Sequence, residues 1–102
     1  MYIVNLTYEA PLSEVDKYLQ AHREFLDYHY RQGLFLASGP KVPRDGGIII
    51  ALSNDKAHLE SVLQQDPFYL AEIASHKITE FHPVKYRDEI KGLIKFKKGE
   101  AC

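Results

Sequence analysis

The sequence has very little cysteine, since Cys102, the last residue, is the only one. A single cysteine cannot form an intramolecular disulfide bond, so the chain lacks the disulfide framework that is typical of small secreted domains. No charged leader with a long apolar stretch is present in the first residues, MYIVNLTYEAP, and no run approaches the roughly 18 apolar residues of a membrane span. These absences disfavour export and membrane insertion, and we expect a cytoplasmic protein.

The chain also lacks a large excess of charge of either sign. Lysine and arginine number 13 against 14 aspartates and glutamates, which gives a formal net charge of -1. A broad basic surface that would attract phosphate backbones is therefore absent, and we do not expect nucleic acid as a partner. Positive charge is concentrated only in the tail, where such a run is more often a solvated end than a binding arm; its members are Lys91, Lys95, Lys97 and Lys98.

What is present is the composition of one globular domain. Hydrophobic residues make up 45% of the chain and charged residues 26%, and 102 residues suffice for a single domain. We divide the chain into a domain over residues 1–84 and a basic C-terminal extension over residues 85–102. In the extension, residues 86–91 favour a helical turn. Residues 93–96 either add a strand to the edge of a partner subunit or remain a loosely packed tail.

Hydrophobic periodicity and turn residues predict four strands. Period-two alternation indicates the first strand over residues 2–8, and Pro11 ends it. The second strand is predicted over residues 34–37, ended by Ser38-Gly39-Pro40. The third is predicted over residues 48–52 after a turn at residues 44–47, and the fourth over residues 77–81.

Capping residues and prolines predict the helices between these strands. Ser13, with an acid three residues later, resembles a capping box and starts a helix that runs to about Gln32, with Gly33 as its stop. A second helix is predicted from a cap at residue 53 or 54 to residue 65. Asp66-Pro67 then indicates a new short helical turn that ends at about residue 71.

The order strand, helix, strand, strand, helix, strand predicts an α+β fold of the ferredoxin-like type, βαββαβ, with an antiparallel sheet. Helices cover one face of such a sheet only, yet the strands are apolar on both faces. Ile48, Ile50 and Leu52 fall on one face, while Ile49 and Ala51 fall on the other. A bare apolar face would favour aggregation, so we expect a homodimer formed through the sheet. A monomer by light scattering at micromolar concentration would refute this expectation.

The segment HREFL, residues 22–26, places a histidine inside the first predicted helix. On a helical wheel of about 100° per residue, the apolar neighbours within about 60° of His22 are Val15, Tyr18, Leu19, Phe25 and Leu26. His22 therefore lies in the middle of the apolar stripe, while Arg23 and Glu24 face water. Such a histidine is more often a hydrogen-bonded core residue than a catalytic one, but leucine would pack better and a buried imidazole needs partners for both nitrogens. Both roles stay open.

The remaining histidines do not indicate a metal site. His29 shares the stripe near the helix end, where it can reach the surface, and we interpret it as structural or interfacial. It would lie about 10 Å from His22 along the helix axis, too far for both to chelate one ion directly. His76 and His82 would be about 20 Å apart on a strand, and His58 is interpreted as a surface residue. No metal is expected.

Other common catalytic patterns are also missing. Ser38 is not part of a nucleophile elbow, and the Gly46-Gly47 pair is not followed by the lysine of a phosphate-binding loop. Neither a nucleotide nor a nicotinamide cofactor is indicated. Asp66 is most simply the cap of the turn that begins with proline. A carboxylate at a helix start can also face an imidazole, orient the ring and stabilise its protonated form.

Three short motifs carry a resemblance to a known family: HxxFL at residues 22–26, GP at residues 39–40 and DPF at residues 66–68. In this order and spacing the chain resembles the YciI-like (YCII-related) family over residues 1 to about 86. The resemblance implies a dimeric α/β barrel of ferredoxin-like subunits and an active pair of histidine and aspartate, which match His22 and Asp66. Related members are similar to cofactor-free enzymes acting on ring compounds, including a dehydrochlorinase of a chlorinated hydroxyquinol. The basic C-terminal extension departs from the short members, and it could partly cover the pocket or exchange between subunits.

These observations lead to a functional hypothesis. The chain is a cofactor-independent enzyme in which His22 acts as general base or acid on a small, aromatic or enolisable substrate, and Asp66 positions it. Residues predicted to contact the substrate are Ser38, Gly39, Phe68, Tyr69 and Tyr18. Two alternatives stay open: a non-catalytic ligand-binding or assembly module that keeps the pair for structure, and a cofactor-free monooxygenase of the same barrel class.

Overall fold

The computed structural model describes residues 1–95, in which four antiparallel strands form one sheet. The strands are β1 (Tyr2–Tyr8), β2 (Phe35–Pro40), β3 (Gly46–Ala51) and β4 (Ala74–Glu80), in the spatial order β2-β3-β1-β4. The helices are α1 (Leu12–Arg31), α2 (Lys56–Leu63) and α3 (Pro67–Leu70), followed by a 3₁₀ helix at Asp88–Leu93. This arrangement confirms the predicted ferredoxin-like α+β fold of the subunit.

The central strand β1 organises the sheet because it pairs with β3 on one side and β4 on the other. Tyr2, Val4 and Leu6 alternate with more exposed residues and are buried on the face that the helices cover. Each buried apolar side chain of this size contributes about 1.5–3 kcal/mol relative to exposure. The predicted period of two in this strand is thus confirmed by its burial.

Helix α1 begins one residue before the predicted start, and its predicted cap is wrong. Pro11 occupies the cap position in an extended conformation and makes no side-chain capping bond, so Ser13 already lies within the first turn. The Asp16 carboxylate, expected to complete a capping box, instead accepts a hydrogen bond from Arg44. The predicted stop is confirmed, since Gly33 has a φ of +77°, which glycine adopts without a Cβ penalty.

The predicted bounds of β2 and β3 are also wrong, because Ser38-Gly39-Pro40 and Gly46-Gly47 belong to strands and not to turns. Proline is tolerated in β2 because β2 lies at the edge of the sheet, where a backbone N–H can be lost. A Cβ added at Gly46 would clash with the Leu6 carbonyl of β1. Glycine therefore allows close approach of two strands at this position, rather than a turn.

Two further boundaries differ from the prediction. The cap of α2 is Asp55, whose side chain accepts from the His58 backbone N–H, whereas the Ser53 hydroxyl bonds to the backbone of Asp55. Strand β4 begins at Ala74, three residues before its predicted start, because Ser75 and His76 continue the pairing with β1. Local turn signals did not indicate either end.

The face of the sheet opposite the helices carries half-buried isoleucines at Ile3, Ile48 and Ile50. Polar side chains interrupt this apolar group, and Lys41 donates a hydrogen bond to Asn5 at 3.0 Å. The prediction that both faces are apolar therefore holds in the middle of the sheet. Leu52, predicted to share this face, lies beyond β3 and is buried.

For the C-terminal segment, a helical turn was expected over residues 86–91, and residues 93–96 were expected either to form a strand or to remain a loosely packed tail. A 3₁₀ helix occupies Asp88–Leu93, and residues 94 and 95 are not part of a strand. The remainder of the predicted strand, at residue 96, lies outside the described residues. Among residues 1–95, no helix has both the length and the apolar character needed to cross a membrane.

Candidate functional site

Helix α1 and the turn at α3 bring together two polar side chains that are 44 residues apart in the sequence. His22 Nδ1 lies 2.8 Å from Asp66 Oδ1. The side chains are 12% and 2% exposed, respectively. The position of His22 in the middle of the apolar stripe, predicted from helical periodicity, is confirmed by this burial.

The Asp66 carboxylate has two hydrogen-bond partners, one from the backbone and one from a side chain. Its carboxylate caps α3 by accepting a hydrogen bond from the Phe68 N–H at 3.0 Å, and Pro67 occupies the first helical turn. The same oxygen faces the His22 ring. The predicted capping role is therefore confirmed, and it coexists with the contact to the imidazole.

The His22 ring is also fixed through its face. It stacks on Phe68 with ring centroids 4.0 Å apart and an interplanar angle of 9°. Phe25 lies further away, at 6.4 Å and 25°. The DPF segment thus contacts the imidazole both at its edge, through Asp66, and on its face, through Phe68.

This geometry defines the protonation pattern of the neutral ring. An ionised carboxylate can only accept hydrogen bonds, so in the neutral ring Nδ1 carries the proton and Nδ1–H donates a hydrogen bond to Asp66. Nε2 of His22 then holds a free lone pair. Within residues 1–95, no side chain or backbone group forms a hydrogen bond with Nε2. The contact with Asp66 therefore engages Nδ1 of the ring and leaves Nε2 without a hydrogen-bond partner among the described residues.

His22 forms part of the wall of a cavity of about 480 Å³ between α1 and the helix-covered face of the sheet. Most of the wall is apolar, and its apolar side chains include Leu6, Leu19, Leu26, Ile49 and Phe68. The ionisable and hydroxyl side chains of the wall are Tyr8, His22, Arg23, Ser38 and Arg44. An apolar cavity of this size with a few polar groups is typical of small-molecule sites.

Three of the predicted contact residues line this cavity: Ser38, Gly39 and Phe68. The Ser38 hydroxyl is 2.7 Å from the Tyr30 hydroxyl, which ties β2 to α1. These three residues therefore share one cavity wall with His22, as the sequence analysis expected.

Tyr18 and Tyr69 do not line the cavity, in contrast to the expectation. Tyr18 is 38% exposed, and it lies on the edge of the α1 stripe opposite to Leu19 and Leu26, which face the cavity. Tyr69 packs instead against the ring of His76, at 5.6 Å. The helical wheel identified the stripe but not which of its edges borders the cavity.

Among the ionisable side chains of the cavity wall, the sequence analysis missed three: Tyr8, Arg23 and Arg44. Arg23 was expected to face water only, although its position beside His22 places it on the cavity edge of the stripe. Arg44 donates to Asp16 at 2.6 Å, and its guanidinium lies 5.9 Å from the centre of the Tyr8 ring. The hydrogen bond from Arg44 to Asp16 raises the pKa of the guanidinium. No short-range signal connects residues that lie so far apart in the chain.

The other helical histidine has different surroundings. His29 is buried among the rings of Phe25, Tyr28 and Phe35, so the expectation that it reaches the surface is wrong. Burial lowers the pKa of His29, and the proximity of His58 lowers it further. These contacts fit the structural role that was expected. Over the described part of the chain, no three side chains of histidine, cysteine, aspartate or glutamate form a cluster that could hold a metal ion.

Comparison with solved structures gives a match to 5-chloro-2-hydroxyhydroquinone dehydrochlorinase (TftG) from Burkholderia phenoliruptrix AC1100, in complex with 2,5-dihydroxybenzoquinone. The TM-score is 0.65 at 16% sequence identity, over 79% of this chain and 93% of that chain. This low identity supports a shared fold and nothing finer. No curated protein matches the chain significantly.

A family comparison gives a more direct result. The model of the YCII-related domain matches residues 1–82, which is most of the chain. The motifs that suggested this family all lie within the matched residues. The chain therefore belongs to the YCII-related domain family.

Proposed function

We propose that this protein is a cofactor-independent enzyme that transfers a proton on a small aromatic or enolisable substrate. The observation that carries the proposal is the orientation of His22. Its Nδ1 is bonded to a buried carboxylate, while the ring lines a cavity and Nε2 has no partner among the described residues. An imidazole held in this way can accept a proton at a defined atom.

The chemistry follows from the two ring nitrogens. Nε2 removes a proton from a carbon or hydroxyl of the substrate, and the electron pair released moves into an adjacent carbonyl or ring. The resulting imidazolium is stabilised by Asp66, which already accepts a hydrogen bond from Nδ1. Return of the proton to another atom gives isomerisation, whereas departure of a leaving group gives elimination.

The cavity limits the size and polarity of the substrate. Its volume of about 480 Å³ fits a single substituted ring, and leucine and isoleucine side chains offer apolar contact to the body of the molecule. The structural neighbour is a dehydrochlorinase that was solved with a dihydroxylated quinone, which supports a ring compound as the first substrate to test.

We also infer that the protein acts as a homodimer. The half-buried isoleucines Ile3, Ile48 and Ile50 lie on the face that no described helix covers, and a second copy would remove them from water. Light scattering at micromolar concentration is expected to give twice the mass of one chain. A monomeric mass would contradict this inference.

The test of the enzymatic proposal uses 5-chloro-2-hydroxyhydroquinone under anaerobic conditions, with chloride release and proton NMR as readouts. Other halogenated quinols and cyclic ketones complete the panel. The variant His22→Gln is expected to lose about 10²- to 10⁴-fold in turnover, the usual contribution of a general base. The matched control is His29→Gln, which removes the other buried histidine of α1 and is expected to change turnover only a few-fold.

Equal turnover by wild type and His22→Gln would contradict the proposal. In a parallel assay in air, consumption of dioxygen in step with quinol oxidation would instead indicate a monooxygenase. If the panel binds but is not turned over, and His22→Gln lowers stability without changing binding, the protein is a ligand-binding module that keeps the pair for structure.

A further inference from the structure

The cavity wall has an unbalanced charge, although the whole chain is almost neutral. Two arginines, Arg23 and Arg44, line the cavity together with His22. Among residues 1–95, no aspartate or glutamate lines it. Arg23 is exposed and lies at the opening, whereas Arg44 is only 35% exposed and has defined contacts. Arg44 is therefore the positioned cation of this wall.

The chain holds Arg44 in place through the loop between β2 and β3. The loop is fastened at both ends, since the Asp45 carbonyl accepts from the Tyr8 N–H at 2.9 Å and Lys41 N–H donates to the Gly46 carbonyl at 2.9 Å. The side chain of Arg44 then lies against the Tyr8 ring and bonds to Asp16. These contacts restrict an otherwise flexible side chain before any ligand binds.

The contact with Asp16 leaves donors of Arg44 unused. A guanidinium has five N–H donors in a planar fork, and the bond to Asp16 involves Nη2 only. The Asp16 carboxylate is half-exposed and is not part of the cavity wall. A molecule in the cavity therefore meets the cation and not the acid that holds it.

We propose that Arg44 anchors an anionic oxygen of the substrate, so that the substrate is an acid with an apolar body. A carboxylate or an ionised enol would pair with the guanidinium, while the body of the molecule contacts Leu19, Leu26 and Ile49. This inference rests on the proposed function only in taking the cavity beside His22 as the substrate site. Arg44 is a substrate-anchoring residue and not the base.

The rival interpretation is that Arg44 only joins the loop to α1 through Asp16. The two interpretations differ in what Asp16→Asn does. If Arg44 is structural, Arg44→Gln and Asp16→Asn break the same contact and have the same effect. If Arg44 is an anchor, Asp16→Asn leaves the cation in the cavity and keeps the binding of anions.

The experiment compares two pairs of probes of matched shape, benzoate with benzamide and salicylate with salicylamide, by calorimetric titration at pH 7.5. Wild type is expected to bind each anion at least about tenfold more tightly than the neutral amide, as expected for a charge-assisted hydrogen bond. Arg44→Gln is expected to remove this preference and leave the amides unchanged. Arg44→Lys is expected to retain part of it, and Asp16→Asn to keep it.

Three results would each overturn the proposal: equal affinity for the anion and its amide, no saturable binding of either anion at millimolar concentration, or an equal loss in Arg44→Gln and Asp16→Asn. Circular dichroism of each variant shows that it is folded. The same titrations of His22→Gln separate this inference from the proposed function. If wild type and His22→Gln both prefer the anion, but wild type turns over no substrate of the panel, Arg44 is supported as an anchor while the acid–base proposal fails. If neutral substrates are turned over and Arg44→Gln does not change that turnover, the acid–base proposal is supported while the anchoring role of Arg44 fails.

Discussion

His22 and His29 lie two turns apart on the same apolar stripe of α1, yet their surroundings differ in kind. Both are largely buried and both touch aromatic rings. Both histidines border a pocket, but His22 is bonded to a buried carboxylate, whereas His29 packs against the rings of Phe25, Tyr28 and Phe35. The comparison teaches that burial and an adjacent pocket do not by themselves distinguish two histidines of one helix face. The buried carboxylate bonded to the ring is the feature that sets His22 apart.

The largest effect on stability is expected for Asp66→Ala, which would show how much the His22 partner contributes. The change removes the cap of α3 and leaves the buried Nδ1–H without an acceptor, so we expect a loss of about 2–4 kcal/mol in the free energy of unfolding, measured in urea. The matched control is Asp55→Ala, because Asp55 caps α2 by accepting from the His58 backbone N–H and forms no hydrogen bond with an imidazole ring among the described residues. It should cost about 1 kcal/mol. Equal losses in the two variants would show that the bond to His22 contributes nothing to stability.

A smaller effect, dependent on pH, is expected at His29. Burial holds the folded-state pKa of His29 below its ordinary value, so below about pH 6.5 the unfolded chain binds a proton that the folded chain does not. The contribution of His29 is therefore a loss of stability as the pH falls, no steeper than about 1.4 kcal/mol per pH unit. Urea unfolding of wild type and His29→Leu at pH 7.5, 6.5 and 5.5 measures the difference between them. That difference should shift in favour of the variant at low pH, and a constant difference would contradict the expectation.

The smallest effect is expected for Asp16→Asn, which extends the comparison to an ion pair in contact with water. The Arg44–Asp16 contact is short, but the acid is half-exposed, so water and salt screen the interaction. We expect a change below about 1 kcal/mol that disappears in high salt. Glu14→Gln, which removes the exposed pair between Glu14 and Lys17, is the matched control and should behave in the same way. A loss as large as that of Asp66→Ala would show that exposure does not weaken this pair.

Local sequence patterns predicted most helices and strands of the fold, and they predicted the separate positions of His22 and Asp66 in the candidate site. The helical period placed His22 inward, and the sequence DPF predicted the Asp66 cap, because both depend on residues within a few positions of each other. The pairing of the two side chains came from the family resemblance and from no spacing in the chain. The contacts of Arg44 with Asp16 and Tyr8 could not be predicted, since they exist only once a loop and a helix pack together.

The strand ends were mispredicted for a related reason. Pro40 and Gly46 are turn-forming residues by local preference, but the edge position of β2 and the close approach of β3 to β1 override that preference. A short window of residues does not show which strand will lie beside it in the sheet or how closely the two backbones will approach. The division of the chain into a domain over residues 1–84 and a C-terminal extension over residues 85–102 stays a prediction.

The segment formed by Asp66, Pro67 and Phe68 has one further consequence. Three consecutive residues supply both supports of the His22 imidazole, the acceptor at its edge and the ring on its face. Because these supports share one short stretch of backbone, a displacement of α3 from α1 would remove both together. We therefore expect both contacts of His22 to form together when α3 packs against α1, and to be lost together when the two helices separate.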